Sequence, residues 1–201
     1  MEWTYEMRRE MQEILPGLFL GPYGSAKDKA ALQNNGITHV LTVRSTLERR
    51  LDPKFPQEFK YHIVEVPEAP TEDLILFFPQ CNNCIHQAIS EGGKILVHCN
   101  AGLSRSAAVV VAYVMESLRM PIKEAIQHVQ SRRSYIHINE SIHNQLREFE
   151  TIYQNRGLAA PRAGWEQKKR GFEAGEESDV QTAYDAQCNK PQPDVDAIMR
   201  N

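Results

Sequence analysis

Apolar positions along this chain change period several times, and each period predicts an element. Ile14-Leu15-Pro16-Gly17-Leu18-Phe19-Leu20-Gly21 places two short apolar runs around a Pro-Gly pair, which predicts two strands joined by a turn. Residues 26–34 read as a helix closed by Asn35-Gly36. The apolar and β-branched residues 38–43 predict a buried strand, and 61–66 a second one ended by Pro67. Leu74, Phe77, Phe78, Cys81, Ile85 and Ile89 recur at helical spacing over residues 72–90, before Gly92-Gly93. Lys94-Ile95-Leu96-Val97 is short and continuously apolar, as in a strand covered on both faces. Residues 105–118 form a helix with small and β-branched residues all round, hence a central one. Pro121 opens the next helix, to about Ser131, and Asn139 starts a last one to about Tyr153. Strands alternating with helices, then a run of helices, predict a single α/β domain: a central sheet flanked by helices.

The pattern stops near residue 155. Of the 47 residues from Asn155 to Asn201 only Leu158, Phe172, Val180, Val195 and Ile198 are Leu, Ile, Val or Phe. That is too little apolar surface to offset the entropy of ordering, so 155–201 is expected to be a disordered tail and 1–154 the domain. The net charge of −3 argues against nucleic-acid binding by overall basicity. The longest apolar run, Ala107 to Met115, is far short of a membrane span of ~20 residues. With no signal-peptide pattern and four cysteines, the expectation is a reducing, intracellular setting, cytoplasmic or nuclear, and a monomer.

Candidate chemistry concentrates in His98-Cys99-Asn100-Ala101-Gly102-Leu103-Ser104-Arg105-Ser106. A cysteine and an arginine bracket five residues of a tight loop that runs from a buried strand into a helix N-terminus. Backbone N–H groups of such a loop converge on one point, and the helix dipole adds positive charge there. A tetrahedral oxyanion fits residues 100–105, with Arg105 gripping two of its oxygens. The field that binds phosphate also favours the thiolate of Cys99, the nucleophilic form. Ser104 is expected within reach of the sulfur. Cys81 and Cys84 have Cys-x-x-Cys spacing but fall inside a helix without further ligands, and are read as filling. Arg44, Arg49 and Arg50 either rim the pocket or sit in a solvated loop. Arg132-Arg133 is either substrate-facing or solvated.

The loop resembles that of the cysteine-dependent phosphatases, whose dual-specificity members carry His-Cys-x₂-Gly-x-Ser-Arg, matched in full by His98 to Arg105. The resemblance covers residues 12–154. Glu2-Trp3-Thr4-Tyr5, the stretch from Arg8 to Tyr23, Arg132-Arg133 and the last helix look like the serine/threonine/tyrosine-interacting protein branch. Members of that branch are pseudophosphatases with glycine at the nucleophile position, where this chain has Cys99. The resemblance implies hydrolysis of phosphotyrosine and phosphoserine/threonine through a phosphocysteine, without metal or cofactor. It implies His98 ordering the loop from behind and Asn139 bracing it, although Glu140-Ser141-Ile142 departs from the family's pattern there. The family's general acid is an aspartate about thirty residues before the cysteine. The matching residue, 31 before Cys99, is Glu68, with Glu65 and Asp73 as fallbacks. Implied partners are phosphorylated proteins, among them MAP kinases, and an F-box protein.

Overall fold

The structure is a computed structural model that describes residues 8–67 and 73–156. The Pro16-Gly17 pair joins β1 (Gln12–Leu15) to β2 (Leu18–Pro22) as an antiparallel hairpin. The expected single helix over 26–34 is two: α1 (Tyr23–Ala26) and α2 (Lys29–Asn34). The break falls at Asp28, whose carboxylate accepts the Ala31 N–H at 3.0 Å and caps α2. β3 (His39–Ser45) and β4 (Lys60–Val66) follow, then α3 (Phe78–Ser90), β5 (Ile95–Cys99), α4 (Arg105–Leu118), α5 (Ile122–Arg132) and α6 (Glu140–Arg156). Helix α3 starts later than expected, after a 3-10 turn at Leu74–Phe77, because Pro79 fits only the first turn of an α-helix. Pro121 sits one residue earlier than expected, as the N-cap of α5.

The sheet order is β1-β2-β5-β3-β4, with β2, β5, β3 and β4 all parallel. The mixed sheet and its flanking helices are those read from the sequence. Strand β5 lies in the middle, and all five of its residues are buried. Leu96 faces a cluster of Phe19, Ala26, Leu32, Ile37, Val40 and Phe59 beneath α1 and α2. On the opposite face lies α4, whose residues from Ser106 to Met115 are all buried, walled by α3, α5 and α6. Each of its buried valines contributes roughly 1.5–3 kcal/mol. These two cores hold the C-terminal end of β5 and the N-terminal end of α4 rigidly together, and the loop 100–104 connects them. The domain boundary expected at residue 154 falls within the last turn of α6. The tail read beyond it, from 157 onward, lies outside the described residues. Among the described residues no helix is long and apolar enough to cross a membrane.

Candidate active site

Parallel pairing of Pro22 with Cys99 brings the end of β2 against the loop that leaves β5. There the loop must pass almost in contact with the β2 backbone. Gly102 makes this possible at a φ of +66°, and a Cβ on it would lie 2.4 Å from the carbonyl carbon and oxygen of Gly21.

Four of the loop carbonyls are engaged by donors from outside the loop. Tyr23 N–H bonds Asn100 O at 3.1 Å, Arg133 Nε–H bonds Gly102 O at 3.0 Å, and His137 N–H bonds Leu103 O at 2.7 Å. Ala108 N–H bonds Ser104 O at 2.7 Å as the first bond of α4. In a trans peptide the C=O of one residue and the N–H of the next point in opposite directions. The N–H groups of Ala101, Leu103, Ser104 and Arg105 are therefore turned away from those donors. With the N-terminus of the fourteen-residue α4 following them, this is the disposition that the anion cradle expected from the sequence requires.

Cys99 ends β5 at the base of this loop, 4% exposed. Its sulfur accepts a hydrogen bond at 3.2 Å, but from the hydroxyl of Ser106, not of Ser104. Side chains in a helix lean towards its N-terminus, so the second residue of α4 reaches back over the sulfur; Ser104 precedes the helix as its N-cap. An O–H donated to sulfur is strongest when the sulfur is anionic.

His98 is buried behind the loop. Its Nε2 meets Thr42 Oγ1 at 2.9 Å and its Nδ1 meets Cys99 O at 3.2 Å. Desolvation pushes His98 down to about 4, only partly opposed by its bond to Cys99 O, so the ring is neutral at pH 7 and orders the strand end.

Arg133 is not substrate-facing. It is fully buried and spans from Gly102 O to the N-terminal segment: Nη1 donates to Glu10 O at 3.0 Å and to Gln12 Oε1, and Nη2 donates to Arg8 O at 3.2 Å. Burial pushes Arg133 down to about 10; negative charge on Cys99 works against the fall and Arg8 adds to it. Asn139 does not brace the loop through its side chain; its Oδ1 accepts Ile142 N–H at 2.8 Å and caps α6. The bracing falls instead to Arg133 and the His137 amide. Arg132, Arg49 and Arg50 are exposed. Arg44 does not rim the pocket: parallel β3 is buried along its whole length, and Arg44 pairs with Asp52 and with Glu65, the latter at 2.9 Å. Glu65, a fallback acid, is committed to that pair. Asp73 precedes the 3-10 turn at Leu74 and is exposed. Glu68 lies in 68–72, outside the described residues.

Arg105 opens α4, and its two Nη atoms bond both carboxylate oxygens of Glu48, at 2.5 and 3.0 Å. Nothing in Leu47-Glu48-Arg49-Arg50 distinguishes this carboxylate in the sequence from an ordinary solvated charge. Cys81 and Cys84 lie on α3, where burial pushes both thiols up to about 12 and keeps them protonated.

Known proteins are similar to this chain in sequence and in fold. Residues 18–152 match the family described as "Dual specificity phosphatase, catalytic domain". The chain is 50% identical over 155 residues to the Homo sapiens serine/threonine/tyrosine-interacting protein, covering 76% of this chain and 70% of that one. It is 40% identical over 146 residues to dual specificity protein phosphatase 1B of Arabidopsis thaliana, covering 73% and 85%. The crystal structure of human tyrosine phosphatase-like serine/threonine/tyrosine-interacting protein superposes with a TM-score of 0.70 at 47% identity, covering 73% of this chain and 99% of that one. With its fold, its phosphate-type loop and these relatives in agreement, the chain belongs to the dual-specificity phosphatase family.

Proposed function

We propose that this protein hydrolyses phosphotyrosine and phosphoserine/threonine in other proteins through a phosphocysteine intermediate. The observation that carries this reading is the Cys99 sulfur, hydrogen-bonded by Ser106 at the base of a loop whose Asn100, Gly102, Leu103 and Ser104 carbonyls are tied off from outside. Cys99 attacks phosphorus in line, forming an S–P bond as the P–O bond to the substrate breaks. The amides of residues 101 and 103–105, with Arg105, hold the equatorial oxygens as charge redistributes. Glu68 gives a proton to the leaving oxygen, a contribution worth ~10²–10⁴ in rate, and then takes one from the attacking water. Water breaks the S–P bond, and the Ser106 hydroxyl stabilises the departing thiolate. The test is hydrolysis of para-nitrophenyl phosphate by the wild-type protein beside Cys99→Ser. Turnover lost in the variant supports the reading; equal, negligible turnover in both removes it.

A second reading has its own support. Arg105 is already held by a carboxylate, and the relative at 50% identity carries an interaction protein's name. The site then binds phosphorylated proteins, MAP kinases among them, with little turnover, as a scaffold or competitor that also holds an F-box protein. Vanadate that raises the unfolding temperature of a protein inert towards para-nitrophenyl phosphate would favour this reading.

A further inference from the structure

The carboxylate of Glu48 has two partners. Besides the two Nη atoms of Arg105, its Oε2 accepts the Ser45 N–H at 2.9 Å. The Glu48 N–H bonds Ser45 O in turn, at 3.1 Å, so a tight turn at the end of β3 fixes the carboxylate from its own side. Both side chains are about five-sixths buried, at 17% exposure for Glu48 and 16% for Arg105. Its hydrogen bond to Arg105 holds the Glu48 carboxyl below the usual range; burial works the other way, and the Ser45 amide and Arg50 assist. The carboxylate is thus ionised across the physiological range.

A guanidinium carries five N–H donors, and the Glu48 fork engages its Nη end. A carboxylate that merely substituted for a substrate anion would be held by Arg105 alone and would leave with it. This one is anchored to the sheet. We propose that Glu48 is the positioning residue of the oxyanion site, fixing the plane and depth of the Arg105 guanidinium before an oxyanion arrives over Cys99. Without it a long, rotamer-rich side chain has to be ordered at each binding event. This rests on the reading of loop 100–105 as an oxyanion site, but not on turnover.

The sign of the effect separates positioning from the alternative. A carboxylate acting only through its charge repels an incoming dianion, and removing it tightens binding. A positioning carboxylate does the reverse. Tungstate, a tetrahedral oxyanion, is titrated calorimetrically into the full chain as wild type, Glu48→Ala and Glu48→Gln. A carboxamide cannot accept from Ser45 and from both Arg105 nitrogens, so both variants lose affinity, by about tenfold for a lost charge-assisted fork. In parallel, Cys99 is alkylated with anionic iodoacetate and with neutral iodoacetamide. A general loosening of the fold moves both rates together, whereas misplacing Arg105 lowers the ratio of the first to the second. Weaker tungstate binding with a lowered ratio supports the proposal. Tungstate bound as tightly as by wild type or more tightly, or an unchanged ratio, overturns it. Should the two variants fail to fold, Glu48→Asp keeps the charge but is too short for both partners, and the same ratio decides. Absence of tungstate binding by the wild type refutes the oxyanion site itself, and this proposal with it.

Discussion

Replacing Arg133 by methionine tests whether the phosphate-type loop is held in shape from behind. Arg133 donates one bond to Gly102 O and three to Glu10 O, Gln12 Oε1 and Arg8 O. Bonds from a charged donor contribute ~1.5–3 kcal/mol each, so the four sum to roughly 6–12 kcal/mol. Against this stands the cost of burying the charge. The fall of Arg133 from its ordinary value to about 10 corresponds to about 3 kcal/mol against the cation. In Arg133→Met that cost disappears and the methionine stem fills part of the space. Glu10 and Arg8 lie near enough to the surface for water to reach their carbonyls, whereas Gly102 O is left buried without its donor. The expected net loss is about 3–5 kcal/mol, the range found when one side of a buried ionic network is removed. Urea unfolding reads the stability, and tungstate titration below the transition reads the loop. Arg133→Lys restores the charge but cannot span both Gly102 O and Arg8 O, and should fall between wild type and Arg133→Met in both. A methionine variant within about 1 kcal/mol of wild type, binding tungstate equally well, refutes the idea that this side chain shapes the loop.

Gly102→Ala and Gly92→Ala share a positive φ, +66° and +75°, but an added Cβ meets Gly21 backbone at 2.4 Å in the first and nothing within 4 Å in the second. The second should cost only the left-handed penalty of about 1–2 kcal/mol and leave tungstate binding intact, while the first abolishes binding; equal losses would contradict the steric account. His98, at about 4 in the fold against ~6.5 in the unfolded chain, is protonated first when the chain unfolds. Its contribution is complete above pH 6.5 and declines as pH falls towards 4, amounting to about 2 kcal/mol lost between pH 7.5 and 5. Burial lowers His128 and His39 too and adds to the same slope. Urea unfolding at the two pH values checks this, and His98→Asn should flatten the dependence. Asn139→Ala should cost about 1 kcal/mol as a lost helix cap without weakening tungstate binding; weakened binding would return Asn139 to the loop.

Much of the fold was legible because its signals are local. The continuous apolar run Ile95-Leu96-Val97 marks a doubly covered strand, and the all-round apolar helix after Arg105 marks the element beneath which the site forms. The placing of Cys99 and Arg105 at the two ends of one loop, the turn at Gly102 and the burial of His98 were legible because spacing and residue type fix them. Ser106 was missed because nearness in sequence favoured Ser104, while helical geometry tilts the side chain two residues further on back towards the sulfur. Arg44 was misplaced because a charged residue at a strand end suggests solvent, yet in a parallel sheet even the last residues of β3 are covered, and two acids from elsewhere neutralise it.

The residues that stayed illegible share one cause. A loop that presents amides to an anion must point its carbonyls the other way, and a buried carbonyl without a donor costs about 1–3 kcal/mol. The donors therefore come from outside the loop, and the chain supplies most of them from distant positions: Tyr23 from the start of α1, Arg133 from the end of α5 and His137 from the segment before α6. The same holds for Arg105, whose partner Glu48 lies 57 residues away at the end of β3. Arg133 and Glu48 each have a second attachment to the scaffold, so the loop's shape depends on the N-terminal segment, α5 and the β3 turn as much as on its own sequence. A chain could keep His98 to Arg105 unchanged and still lose the oxyanion site through a substitution at Arg133 or Glu48. The eight-residue motif specifies what chemistry is possible; these remote side chains decide whether the geometry for it exists.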